Sequence, residues 1–228
     1  MNKYVIGIVD ESQHDIEYIE RTIIINKPEK IHDTDISFEE YKLEYDVKDL
    51  SNKIVASIIN DIINDRIHAV IVDYKIIVSS TFVEGTEIFK KISETVPKFP
   101  LIILSNVTKD CYEKEFVDAD KIYSKREFFK IQESYSQEKT LNIFRNMDNY
   151  IAQRSKLSVK LQEYLMKLEN NGYSEEVLKS IVETETLLDA FCPQEQTMVE
   201  KSLDISDLKS AVDLLEKAKG LIGGQDED

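Results

Sequence analysis

The chain holds 228 residues, 44 of them acidic against 29 basic, for a formal net charge of -15. That balance excludes a surface built to bind nucleic-acid phosphates. The length suffices to bury a real core, in one large domain or two small ones.

The two cysteines, Cys111 and Cys192, are far apart, lack metal or redox spacing, and read as reduced core residues. Met1-Asn2-Lys3 leads straight into an apolar strand without a signal-peptide pattern. No apolar run is long enough to span a bilayer, so the expectation is a cytoplasmic protein with no membrane contact.

Residues 1 to about 130 alternate strand-like and helix-like stretches, the pattern of an α/β fold with a parallel sheet. A first strand is predicted over 3–9. A helix follows from near Ser12 to Ile25, with Ile16, Ile19 and Ile23 on one face. A second strand lies within 34–45, where Ile36 and Phe38, then Tyr41, Leu43 and Tyr45, alternate. Ser51 is read as the cap of a helix over 52–66. A third strand covers 68–73 and opens on His68, taken as structural. A helix over 85–95 follows Gly85, and Pro97 and Pro100 bracket the turn into a fourth strand at 101–105. Lys109 to Phe116 reads as a short helix, and a fifth strand covers 120–124.

From about 137 helical periodicity takes over. Ile143, Met147, Tyr150, Leu157, Leu161, Tyr164 and Leu168 fall on heptad a and d positions, interrupted by Arg154. Phe144, Ile151 and Leu165 widen the stripe, which suits a bundle better than a two-stranded coiled coil. Asn170-Asn171-Gly172 is a helix stop and Ser174 a fresh cap for a helix to about 191, before Pro193. A short helix at 194–203 and a last one capped by Ser206 are expected, then a solvated tail. The organisation expected is an α/β domain over 1–136, an α-helical domain over 137–222 and a disordered tail at 223–228. The first helix of the second region is a candidate extension of the α/β domain's last helix.

Four strands end on chemistry. Val9 is followed by Asp10-Glu11, the third strand ends on Asp73, the fourth on Ser105, and the fifth leads to Lys125. In parallel sheets ligands gather at the carboxyl ends of the strands. Each residue alone reads blandly: an acid opening a helix, a strand-end cap, a turn serine, a surface lysine. Together they make a rim of three carboxylates, one hydroxyl and one ammonium. Crowded carboxylates repel and favour a divalent cation, and oxygen ligands suit magnesium.

In this order the segments Ile8-Val9-Asp10-Glu11, Val70-Ile71-Val72-Asp73, Leu101-Ile102-Ile103-Leu104-Ser105 and Ala119-Asp120-Lys121-Ile122-Tyr123-Ser124-Lys125 resemble the receiver domain of bacterial response regulators (CheY-like). The resemblance covers about 3–135, and Gly85 matches the family's glycine before its third helix. It implies a doubly wound five-stranded parallel sheet whose central Asp73 accepts a phosphoryl group from a histidine kinase or phosphotransfer protein. It further implies Mg2+ held by Asp10, Glu11, Asp73 and the backbone carbonyl of Lys75. Ser105 and Lys125 would serve the phosphoryl oxygens, and Tyr123 would be a switch aromatic; the plain alternative for Tyr123 is an amphipathic surface residue. The expectation is a two-component phosphoprotein that acts on itself alone and is not otherwise an enzyme.

The chain departs from the family in several places, including a long segment between its first and second helices. Arg126 replaces the usual proline after the lysine, so the Lys125 loop is expected to be set differently. The stretch Tyr74 to Glu84 is long and borders the acceptor. Asn106 follows Ser105 where a small residue is usual. Other chemistries fit worse. There is no P-loop or dinucleotide fingerprint, and no acid two residues after Asp10 for a dehalogenase-type phosphatase. The helical region contains no histidine, which excludes a phosphotransfer domain. Over 140–228 it carries 17 acidic against 10 basic residues, which argues against DNA-binding output. It is expected to reach a downstream protein by direct contact, with a homodimer left open. The competing expectation is a phosphorylation-independent pseudo-receiver acting as a protein-binding scaffold.

Overall fold

The computed structural model describes residues 4–43, 49–78, 81–108, 118–171 and 174–193. In chain order the elements are β1 (Tyr4–Val9), α1 (Gln13–Asn26), β2 (Ile36–Glu40), α2 (Leu50–Ile63) and β3 (Ala69–Asp73). There follow β4 (Lys75–Val78), β5 (Thr81–Glu84), α3 (Gly85–Thr95), β6 (Leu101–Ser105) and β7 (Ile122–Ser124). The chain continues with α4 (Lys125–Phe128), α5 (Ser134–Asn171) and α6 (Glu175–Asp189).

β1, β2, β3, β6 and β7 form one parallel sheet in the order β2-β1-β3-β6-β7. Consecutive side chains on a strand face opposite ways, and the central runs are apolar on both faces because helices cover both. Val70, Val72, Leu101 and Ile103 face α2 and α3, packing on Ile54, Ile58, Ile62, Ile88 and Ile92. Ala69, Ile71, Ile102 and Leu104 face the other way, with Ile16, Ile19 and Ile23 of α1 and Ile143, Phe144 and Met147 of α5. Each such side chain, fully buried, contributes roughly 1.5–3 kcal/mol. The fold is α/β and doubly wound, followed by a helical region. The strand order reverses between β1 and β3, the place where such folds put their ligands.

Several expectations shift at their edges. Ser51 lies inside the first turn of α2 rather than at its cap. Asp49 takes the cap position in a left-handed conformation (φ 66°), and Ser51 Oγ instead accepts a hydrogen bond from Lys91 Nζ at 3.2 Å. The fifth strand of the sheet begins at Ile122, because 119–121 turn as a 3-10 helix. The stretch after Asp73, read as a loop, forms a separate antiparallel hairpin of β4 and β5, pairing Lys75 with Glu84 and Ile76 with Val83. The expected helix at Lys109 to Phe116, the elements beyond 194, the tail and Cys111 lie outside the described residues.

α5 runs unbroken across residues 136 and 137. Its first half packs on the sheet; its second half pairs with α6 through Leu161, Ile181 and Leu188. Arg154, the polar break in the stripe, has a structural reason. Its guanidinium donates to the carbonyls of Ile62 and Ile63 at 3.1 and 3.2 Å and to Asp65 Oδ1 at 2.8 Å. A cation there satisfies carbonyls that the end of α2 leaves without intrahelical partners. Cys192 is buried, and its Sγ lies 3.5 Å from an Arg154 guanidinium nitrogen. Among the described residues, no helix is long and apolar enough to cross a membrane.

His68 extends the β1–β3 ladder. Its N–H donates to the Val5 carbonyl at 2.8 Å, and its Nδ1 accepts the Val5 N–H at 3.0 Å. Burial lowers its pKa below the ordinary value of 6.5. The unfolded chain therefore takes up a proton near pH 6.5 that the native state refuses until lower pH, and this contribution to stability is lost as pH falls. Urea unfolding from pH 7.5 to 5 should show wild-type protein losing stability relative to His68→Gln. A constant difference between the two would contradict the role.

Candidate functional site

The parallel register brings the chemistry-bearing strand ends to one rim. Asp10 follows the last residue of β1, Asp73 is the last residue of β3, Ser105 the last of β6, and Lys125 follows β7. β1 pairs with β3, β3 with β6 and β6 with β7, so the four positions come from a contiguous run of strands. The Lys125 ammonium closes the group. Its Nζ lies 2.8 Å from Asp10 Oδ2 and 2.6 Å from Asp73 Oδ1, as sequence position alone suggests, and also 2.6 Å from Asp15 Oδ2.

The carboxylates are aimed by their own backbone turns. Asp10 Oδ1 accepts the N–H of Ser12 at 2.9 Å, and Asp73 Oδ2 accepts the N–H of Lys75 at 2.8 Å. Ser12 caps α1 by accepting the N–H of Asp15 at 3.3 Å. Tyr74, between Asp73 and the hairpin, is stitched on both sides: its N–H reaches the Leu104 carbonyl, and its carbonyl accepts the Gly85 N–H, each at 2.9 Å. Gly85 lies against the Asp73 carbonyl so closely that any Cβ would strike the Asp73 backbone. The hairpin after β3 therefore leaves and returns through a junction that only glycine fits.

Ser105 is buried and its Oγ accepts the Val107 N–H at 3.0 Å. Asn106 is exposed beside it. Lys125 opens the short helix α4, with Ser124 as its cap accepting the Glu127 N–H at 3.4 Å, so Arg126 continues a helix where the resemblance has proline. Tyr123 is 2% exposed, which overturns the surface reading. It packs with Phe128 and beneath Lys139, whose ammonium sits 5.2 Å from its ring centre.

Glu11 is not drawn into the cluster around Lys125. It is exposed and lines a cleft of about 360 Å³ with Asp10, Gln13, Glu40, Leu43 and Ile77. Partial burial raises its pKa, opposed by its own backbone and that of Ile77 in β4. Lys75 meets Asp73 through its backbone N–H. Among the described residues no group of three or more His, Cys, Asp or Glu side chains is arranged to hold a metal ion. Three acids close on an ammonium instead. The donor chemistry still suits a hard cation: with Asp10, Asp15 and Asp73 ionised, one ammonium leaves two negative charges uncompensated, and every candidate donor is oxygen.

Asp15 is the member that sequence reading missed. The signal is Ser12-Gln13-His14-Asp15, a cap with an acid three residues on, which places Asp15 in the first turn beside the strand end. Compared with known proteins, the chain matches no family model, and no curated protein is similar to it.

Burial raises the pKa of Asp73 to about 6, opposed by the attraction and hydrogen bond of Lys125. For Lys125 burial favours the neutral amine, yet Asp73 and the bonds to Asp10 and Asp15 outweigh it and raise its pKa. An acid whose folded pKa lies above its unfolded one costs stability at neutral pH and returns it as pH falls through the folded value. Asp73→Asn should therefore raise stability at pH 7 by roughly 1–3 kcal/mol. Lys125→Met, which leaves three acids unpaired, should lower it by roughly 3–5 kcal/mol. Urea unfolding of both variants checks this pair; a destabilised Asp73→Asn would contradict the account.

Proposed function

We propose that the chain is a divergent response regulator, with a receiver-like domain that accepts a phosphoryl group on Asp73. The observation that carries the reading is the shared ammonium: Lys125 joins Asp10 and Asp73 across the carboxyl ends of β7, β1 and β3. A lysine bridging two strand-end acids, with a buried serine on the next strand, is a constellation for holding and neutralising a phosphoryl group. Aspartate is the nucleophile: a carboxylate oxygen of Asp73 bonds to phosphorus as the phosphorus–nitrogen bond of a partner's phosphohistidine breaks. The electron pair returns to the imidazole, which takes its proton from solvent.

Asp10, Asp73 and, on swinging in from the cleft, Glu11 would hold Mg2+, with the carbonyl of Lys75 as a further oxygen. The cation supplies the two positive charges that the cluster lacks, and so offsets repulsion of an anionic donor. Lys125 and Ser105 then bind phosphoryl oxygens, and the added charge of roughly -1.5 to -2 shifts them inward. Tyr123, on β7 and beneath Lys139 of α5, would pass that shift to α5. Output runs through the helical region by protein contact, in the cytoplasm, without nucleic acid or membrane.

A second reading, a scaffold that is never phosphorylated, is favoured by one observation: only 10% of the Asp73 side chain is exposed, beside the β4–β5 hairpin. Incubation with Mg2+ and acetyl phosphate, followed by intact-mass measurement, separates the two. The expected outcome is one phosphoryl group on the wild type and none on Asp73→Asn or after chelation of the metal. An unmodified wild type would favour the scaffold.

A further inference from the structure

An ammonium carries three N–H donors, and Lys125 has spent all three. Asp10, Asp15 and Asp73 receive them at 2.8, 2.6 and 2.6 Å. The three acceptors differ in what surrounds them. The Asp10 side chain is 1% exposed and that of Asp73 10%, whereas that of Asp15 is 27% exposed. A buried carboxylate that loses its cation is left uncompensated in a low dielectric; a partly exposed one takes water in its place. Of the three bonds, the one to Asp15 is therefore the cheapest to break.

The chain fixes Asp15 there by a closed circuit. Asp10 Oδ1 holds the Ser12 N–H, Ser12 Oγ holds the Asp15 N–H, and Lys125 joins Asp15 back to Asp10. The Ser12 cap holds the Asp15 backbone at the edge of the cluster independently of the lysine.

We infer that Asp15 is a positioning residue for Lys125: it accepts one ammonium N–H in the resting site and releases the lysine when a phosphoryl group is placed on Asp73. The inference rests on Asp73 being the acceptor. Once an Asp73 oxygen is bonded to phosphorus that side chain is no longer a carboxylate, and its N–H from Lys125 passes to the phosphoryl group; the dianionic group draws a second N–H, and of the two remaining partners the more exposed, Asp15, releases it. Asp15 gives it up and is rehydrated. Because the Asp15–Lys125 bond exists in the resting state and not in the loaded one, it works against capture. Removing it speeds capture.

The test follows capture over time by intact mass, with Mg2+ and several concentrations of acetyl phosphate, for wild type, Asp15→Asn, Asp15→Ser and Glu17→Gln. Glu17 is an exposed acid on the same helix that does not touch Lys125, so its loss removes the same charge without freeing the lysine. The expected result is a maximal capture rate raised roughly three- to tenfold in both Asp15 variants, the scale of one partly exposed charge-assisted bond. The half-saturating donor concentration stays near wild type, and Glu17→Gln behaves as wild type. Two Asp15 variants guard against one that folds poorly. Equal or slower capture in both, with a labelled wild type, overturns the inference and leaves Asp73 as acceptor. Equal acceleration by Glu17→Gln also overturns it, since charge alone then accounts for the effect. A wild type that takes up no phosphoryl group overturns the acceptor reading and the release step with it.

Discussion

One buried ammonium holds together parts of the chain that are distant in sequence. Lys125 lies 115 residues from Asp10 and 52 from Asp73, yet its Nζ is within hydrogen-bond distance of both and of Asp15. The sheet makes this possible: parallel pairing sets the ends of β1, β3, β6 and β7 side by side, and apolar layers on both faces fix that register. The cluster does not repay the fold in kind. Three carboxylates share one positive charge, and burial raises the pKa of Asp73 to about 6 even with the lysine in contact. A charge imbalance kept in a rigid frame at the carboxyl end of a parallel sheet carries a stability cost, and such perturbed groups cluster at functional sites more often than elsewhere.

A second buried cation does different work away from that rim. Arg154 reaches the carbonyls at the end of α2 and the Asp65 side chain, with Cys192 and the end of α6 packed beside it. Tyr150, one turn earlier, donates its hydroxyl to the Phe191 carbonyl at 2.9 Å. The helical region is thus fastened to the α/β layer by directional bonds as well as by the apolar stripe. A planar guanidinium with five donors suits the splayed carbonyls of a helix end, whereas the point charge of a lysine suits a tight group of carboxylates. Tyr123 and Lys139 link β7 to α5 close to Lys125, and α5 continues without a break to the α6 pairing.

What the sequence discloses follows from how local its causes are. Val70-Ile71-Val72 is legible as a strand because only burial on both faces calls for an unbroken apolar run, and Asp73 at its end then falls on the rim. The β4–β5 hairpin was less legible. Ile76-Ile77-Val78 and Phe82-Val83 flank Ser79-Ser80, a connection without the glycine or asparagine that marks a two-residue turn. Ser51 was a plausible cap displaced by Asp49, a residue type that tolerates the left-handed backbone found there, but nothing local marks that position over Ser51. Tyr123 looked amphipathic beside the polar Asp120, Lys121 and Ser124; its burial comes from Phe128 and from the packing of α5, a contact the local sequence does not disclose. Asp15 needed the three-dimensional meeting of a helix start with a lysine at the far edge of the sheet. Arg154 was visible as an interruption, though its partners on α2 were not.

The most direct check on the central claim is the lysine side-chain nitrogen spectrum of the 15N-labelled protein. The account predicts one ammonium resonance, lost in Lys125→Met, whose protons exchange slowly with water because all three are bonded to carboxylates and the side chain is 5% exposed. If no protected ammonium signal disappears with that substitution, Lys125 does not bridge the acids, and the site described here does not exist in solution.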